Sequence, residues 1–317
     1  MKTIFEYSAP SLQDVITAEL NLWQKENKLK RLWAGDASLW TNSDEAKWMG
    51  WLDISDNELK EVPRINKLRD EIKEQGYKHI VLLGMGGSSL CPDMMAKTFG
   101  KKAENPHLQI LDSTDPIQIK KLENSIDLKK TCFIISSKSG TTLEPNIFKD
   151  YFYARLQTIL EKKEVGDRFL AITDPGTKLE TIAENDHFKQ IFYGVPSIGG
   201  RYSALSNFGM MPSGLMGLDI KTFLDYANEM VKACGSSVSP KDNPGVLLGV
   251  ILGVCAKQGK DKVTLIASPG IHALGAWLEQ LLAESTGKLG KGLIPIDQEP
   301  LGGPQSYGKI VYLFIYV

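Results

Sequence analysis

His79-Ile80-Val81-Leu82-Leu83-Gly84-Met85-Gly86-Gly87-Ser88-Ser89 is the stretch that sets the architecture. Its apolar run is short and unbroken, as expected of a strand buried on both faces. The glycine-rich turn after it leads into a helical segment at 92–99. The same alternation continues downstream. Strands are predicted at 108–111, 131–136 (TCFIIS), 168–173 (RFLAIT) and 190–193. Helices are predicted at 116–124, 145–162 and 179–184. Short apolar strands alternating with helices predict an α/β fold, a parallel sheet flanked by helices.

Upstream, residues 1–75 read as a polar helical layer. Ser11 is placed to cap a helix from Leu12 towards Lys28, with Val15, Ile16, Leu20 and Trp23 roughly on one face. A second helical stretch covers 57–75. Between them Trp33, Trp40, Trp48 and Trp51 read as packing anchors, since large aromatics favour burial. Downstream, 195–217 is rich in Gly, Ser and Pro and reads as connecting chain. Helices at 221–234 and 243–257 follow. A second strand–helix–strand set then comes at 261–267, 270–285 and 292–296, with a final strand at 309–317. The predicted division is 1–75, 76–195, 196–240 and 241–317, the last a partial second α/β unit. An apolar strand ending the chain without a covering helix reads as a truncation or a surface covered by a partner.

The 317 residues carry 37 basic and 38 acidic side chains, a net charge of -1. That balance argues against nucleic-acid partners and against docking on an anionic membrane. An anionic ligand must be held by local groups. No stretch reads as a transmembrane segment, and the first fifteen residues lack the apolar core of a signal peptide, so a cytoplasmic location is expected. Cys91, Cys132, Cys234 and Cys255 form no CxxC pair and read as buried free thiols. The four histidines have no metal-ligand spacing, so no metal site is expected.

Four motifs can carry chemistry. Gly84-Met85-Gly86-Gly87-Ser88-Ser89 offers backbone N–H groups to an anion at a helix start. Lacking Gly-Lys-Ser/Thr, it is not a P-loop. Ser89 stands where a dinucleotide fingerprint has its third glycine, which counts against a dinucleotide enzyme using Asp112. The plain alternative is a tight turn. Ser136-Ser137-Lys138-Ser139-Gly140-Thr141-Thr142 has five hydroxyls in seven residues, more than one helix cap uses. Those hydroxyls can donate to phosphate oxygens. Gly199-Gly200-Arg201-Tyr202-Ser203 sets an arginine beside uncrowded backbone, or is a surface loop. Gln280 and Glu284 share a helix face, either towards a ligand or towards solvent, and Gly287 marks the helix end.

These motifs in this order, GMGGSS, SSKSGTT, GGRYS and Q-x-x-x-E-S-x-G-K, resemble the glucose-6-phosphate isomerase family, built on sugar-isomerase (SIS) domains. The resemblance runs from about Lys78 to the C-terminus. The segment LWAGDASLW looks more like the isomerase portion of transaldolase–isomerase fusions. The resemblance implies two SIS-type units, the second incomplete, a sugar-phosphate substrate, a homodimer and a reaction that requires neither metal nor cofactor. It implies that Gly87, Ser88, Ser137, Lys138 (through its backbone), Ser139 and Thr142 hold the phosphate end. Gly200 and Arg201 would lie at the reacting end, Gln280 would position the ligand and Glu284 would be the base. The family's ring-opening histidine and C-terminal lysine would fall beyond the last residue here. Its phosphate loop commonly reads SKTFTT where this chain has SKSGTT. A non-catalytic sugar-phosphate-binding SIS module is the alternative.

Overall fold

The structure is a computed structural model and describes residues 7–300, 302–306 and 311–316. Of the N-terminal residues considered above, 1–6 lie outside this range. So do Lys309, Ile310 and Val317 of the last predicted strand.

The chain begins with helices α1 (Gln13–Lys25), α2 (Lys28–Trp33), α3 (Ile54–Glu58) and α4 (Val62–Glu74). The helix expected over 57–75 is broken. Pro63 sits in the first turn of α4, where its missing N–H costs no helical bond. The first sheet follows: β1 (His79–Leu83), β2 (His107–Leu111), β3 (Thr131–Ser136), β4 (Phe169–Thr173) and β5 (Gln190–Tyr193). Between them run α5 (Leu90–Phe99), α6 (Pro116–Ser125), α7 (Leu143–Gln157), α8 (Lys162–Val165) and α9 (Lys178–Asn185). All pairings are parallel, in the order β2-β1-β3-β4-β5.

Alternation along the strands explains why both faces are covered. Ile80, Leu82, Cys132, Ile134, Leu170, Ile172 and Phe192 face one core, with Ile65 and Leu68 of α4 and Met95 of α5. Val81, Leu83, Phe133, Ile135, Phe169 and Ala171 face the other, with Phe148 and Phe152 of α7. Phe133 stacks on both Phe152 and Phe169, at centroid distances of 4.7 and 5.3 Å.

The region 195–217 departs from its reading as connecting chain. It contains α10 (Asn207–Leu215), and all nine of its residues are buried. Its small residues serve close packing: a β-carbon on Gly214 would stand 2.3 Å from Ile65 Cγ2. Next come α11 (Ile220–Ala233) and α12 (Pro244–Lys257). Leu12, Ile16 and Leu29 bury against Val246, Val250, Ile251 and Val254 of α12, so the start of the chain closes on a distant segment. The Trp33 indole N–H donates to the Cys234 carbonyl at 2.9 Å. Trp40 and Trp48 correct the expectation of packing anchors: both are about half exposed, Trp40 just after one short 3₁₀ turn and Trp48 at the end of another. Cys234 is likewise only partly buried, whereas Cys91, Cys132 and Cys255 are buried thiols.

A second parallel sheet has β6 (Lys262–Ala267) between β7 (Ile294–Ile296) and β8 (Val311–Tyr316). Helix α13 (Leu274–Thr286) links β6 to β7. Among the described residues, no helix is long and apolar enough to cross a membrane.

Candidate active site

The order β2-β1-β3 makes the gap beyond the C-terminal ends of β1 and β3 a topological switch point. Chains leaving these two strands diverge to opposite sides, and ligands of open α/β sheets bind in that crevice. The glycine loop follows β1 and the hydroxyl loop follows β3. They are tied together: Ser136 Oγ donates to the Ser88 carbonyl at 3.0 Å.

The hydroxyl loop opens α7, whose unpaired N–H groups and dipole favour an anion. Thr142 is the N-cap, yet its side chain makes no bond into the helix. Instead Thr142 Oγ1 accepts from Ser137 Oγ at 3.2 Å, and Ser139 Oγ lies 3.0 Å from Thr141 Oγ1. The Lys138 ammonium is taken by the Asp174 carboxylate and the Val195 carbonyl, residues that follow β4 and β5. The Lys138 side-chain charge is thus already partnered within the protein. Asp174 was not among the sequence-predicted residues; nothing in its local sequence marks it.

On the other side the turn at 200–205 meets the glycine loop backbone to backbone. A β-carbon on Gly87 would stand 2.5 Å from the carbonyl carbon and oxygen of Gly200, and 3.0 Å from Arg201 N. Backbone cannot swing aside as a side chain does. Gly87→Ala is therefore expected to lose about 1–3 kcal/mol of stability as the loops part. Urea unfolding measures this, and an unchanged midpoint would mean that the two loops do not touch.

Helix α13 completes the site. Gln280 lies against the glycine loop: a β-carbon on Gly86 would come within 3.0 Å of its amide nitrogen. The Gln280 Oε1 is buried with no hydrogen-bond partner among the described residues. One turn later, Glu284 Oε1 accepts from the Arg201 guanidinium at 3.2 Å, with half of the Glu284 side chain exposed. Arg201 Nε donates to Ser285 Oγ at 2.8 Å. Ser285 is a second residue the sequence did not single out, although it stands inside the Q-x-x-x-E-S-x-G-K motif. Beyond β2, Asp112 has its pKa raised, first by burial and then by the charge of Asp93.

Arg201, Glu284, Gly200, Gly87, Ser88 and Gln280 thus form one cluster. Ser137, Lys138, Ser139 and Thr142 form a neighbouring one, joined to it through the Ser136–Ser88 bond. Among the described residues, the hydroxyl loop makes no hydrogen bond to Arg201 or Glu284. The arrangement offers anion-type donors at one end and a carboxylate beside a guanidinium at the other. A concavity of about 800 Å³ lies elsewhere, beside α6, lined by Ile117, Lys120 and Lys121 among others. Its lining lacks the clustered donors and paired charges found at the switch point.

Comparison with known proteins bears on this arrangement. A family described as phosphoglucose isomerase matches residues 70–296. The glucose-6-phosphate isomerase of Prochlorococcus marinus (strain NATL2A) is 32% identical over 273 residues, covering 78% of this chain and 51% of that protein. The chain spans about half the length of such curated relatives. Among solved structures, a hypothetical protein from Thermus thermophilus superposes with a TM-score of 0.79 at 23% identity, covering 96% of this chain and 72% of that one. A glucose-6-phosphate isomerase from Chlamydia trachomatis gives a TM-score of 0.63 at 21% identity, covering 95% and 59%. These two likenesses concern the fold. The sequence match holds all four motifs and both clusters of the switch point, and on that ground the chain belongs to the phosphoglucose isomerase family.

Proposed function

We propose that this chain interconverts glucose 6-phosphate and fructose 6-phosphate by aldose–ketose isomerisation, through a cis-enediol, with Glu284 as the base. The observation that carries the reading is the Arg201–Glu284 pair, set beside two loops rich in anion-type donors. In this reading the Glu284 carboxylate takes the proton from the carbon next to the carbonyl and returns it to the former carbonyl carbon. A positioned base contributes about 10²–10⁴-fold in rate. Negative charge grows on the former carbonyl oxygen as the proton leaves. Arg201 stabilises it, and one such donor is worth about 3 kcal/mol.

Ser88, Ser137, Ser139, Thr142 and the Lys138 backbone hold the phosphate, remote from the reacting carbons. That binding orients the sugar so that encounter and alignment precede chemistry. Gln280 and Gly200 shape the reacting end. The proposed setting is the cytoplasm, as a homodimer, with no nucleic-acid or membrane partner.

A sugar-phosphate-binding module without turnover needs the hydroxyl loop but neither Arg201 nor Glu284, so their pairing favours the enzyme. The test is conversion of fructose 6-phosphate to glucose 6-phosphate by the purified chain, followed in a coupled assay. Turnover is expected. Saturable binding of fructose 6-phosphate with no turnover, and no exchange of its carbon-bound proton with deuterated solvent, would overturn the reading in favour of the module.

A further inference from the structure

Arg201 is held by more than its partner carboxylate. Ser285 Oγ accepts from Arg201 Nε and from the Tyr202 hydroxyl, each at 2.8 Å. A serine oxygen has two lone pairs, so both are used and the oxygen is pinned between the two donors. The Arg201 guanidinium also lies over the Tyr202 ring, 4.9 Å from its centroid. Trp51 stacks on that ring too, at 6.0 Å with planes 20° apart. Trp51 sits in the 3₁₀ turn Gly50–Leu52. The Gly50 N–H fastens this turn by donating to the Ser197 carbonyl at 3.1 Å. The Trp51 indole and the Arg201 guanidinium therefore both pack on the Tyr202 phenol, and the guanidinium is oriented by the serine next to Glu284.

We propose that Trp51, Tyr202 and Ser285 are positioning residues that fix the Arg201 guanidinium against Glu284, making a tryptophan of the N-terminal layer part of the catalytic apparatus. The proposal rests on the isomerase reading for the role of Arg201. Guanidinium direction matters because a donor stabilises charge only when aimed at the place where the charge develops. A side chain as long as arginine, tethered at its carboxylate contact alone, samples other rotamers. The Ser285 bond to Nε fixes the plane of the group, and the Trp51–Tyr202 stack closes one face of it.

The test combines two readouts on the full chain. The first is the Arg201 Nε–H signal in ¹H–¹⁵N NMR, assigned by its loss in Arg201→Lys. The second is kcat and KM for fructose 6-phosphate. In Ser285→Ala the Nε–H signal is expected to lose its exchange protection and kcat to fall by about 10²-fold, with KM changed far less. Ser285→Thr keeps the hydroxyl and is expected to restore both. Trp51→Ala is expected to lower kcat and Trp51→Phe to recover it. Thermal melts accompany each variant. A protected signal and unchanged kcat in Ser285→Ala, or a kcat loss in Trp51→Ala that Trp51→Phe does not recover, would overturn the proposal. If the wild-type chain shows no turnover, the isomerase reading fails by itself. The positioning of Arg201 then stands or falls on whether Ser285→Ala abolishes the protected Nε–H signal.

Discussion

Glu284→Gln is expected to lower kcat for fructose 6-phosphate by about 10²–10⁴-fold, the contribution of a positioned base. The substitution is nearly isosteric, and its amide oxygen can still accept from Arg201, as Glu284 Oε1 does now at 3.2 Å. It removes the capacity to take a proton and little else. The hydroxyl loop opening α7 is untouched, so binding of a phosphate ester is expected to persist, which isothermal titration with fructose 6-phosphate measures. Exchange of the carbon-bound proton with solvent should vanish together with turnover, because one carboxylate would serve both steps. Unaltered turnover in the variant would remove Glu284 from the mechanism.

A second large effect is expected away from the site. Glu58, on α3, is 4% exposed, and its Oε1 has no hydrogen-bond partner among the described residues. Burial, and secondarily the charge of Glu61, pushes its pKa up from 4.5 to about 8. The folded chain therefore keeps a proton that the unfolded chain releases above pH 4.5. Unfolding releases protons in this window, so stability falls as pH rises from about 4.5 to about 8, by about 1.4 kcal/mol per unit. Above about 8 the folded carboxyl ionises too and the slope from this group disappears. At pH 7 the accumulated penalty is on the order of 3 kcal/mol. Glu58→Gln cannot ionise. Its urea-unfolding free energy should match that of the wild type near pH 5 and exceed it near pH 8. Parallel pH profiles for the two proteins would show that Glu58 is not held neutral.

Strands of the first sheet are legible because a strand buried on both faces must be apolar throughout. TCFIIS occupies β3 residue for residue, and every one of its positions is buried. Helix α10 is not legible, and for the same physical reason. Buried on every side, it has no polar face to set a 3.6-residue period, and the Gly, Ser and Pro that allow its close packing also compose loops. Strand order is a tertiary property with no local signature. It decides that the glycine and hydroxyl loops flank the switch point. The candidate site divides likewise. Loops with unusual composition stand out in the sequence, but Arg201 and Glu284 are 83 residues apart and meet only through packing of α13. Asp174 and Ser285 are ordinary residues locally, and their partners alone give them meaning.

The packing of α1 on α12 has a consequence for how the protein is made. Synthesis at about 5–20 residues per second leaves α1 waiting on the order of tens of seconds before Lys257 emerges from the ribosome. During that interval Leu12, Ile16, Leu20 and Trp23 have Leu29, Leu32 and Trp33 of α2 beside them but lack the surface of α12. The five-stranded sheet, whose strands lie between His79 and Tyr193, can meanwhile assemble from contacts already available. Helix α1, although translated long before α12, is thus among the last elements to dock. Its apolar stripe is a natural landing place for a chaperone on the nascent chain, and that segment sets a late step in folding.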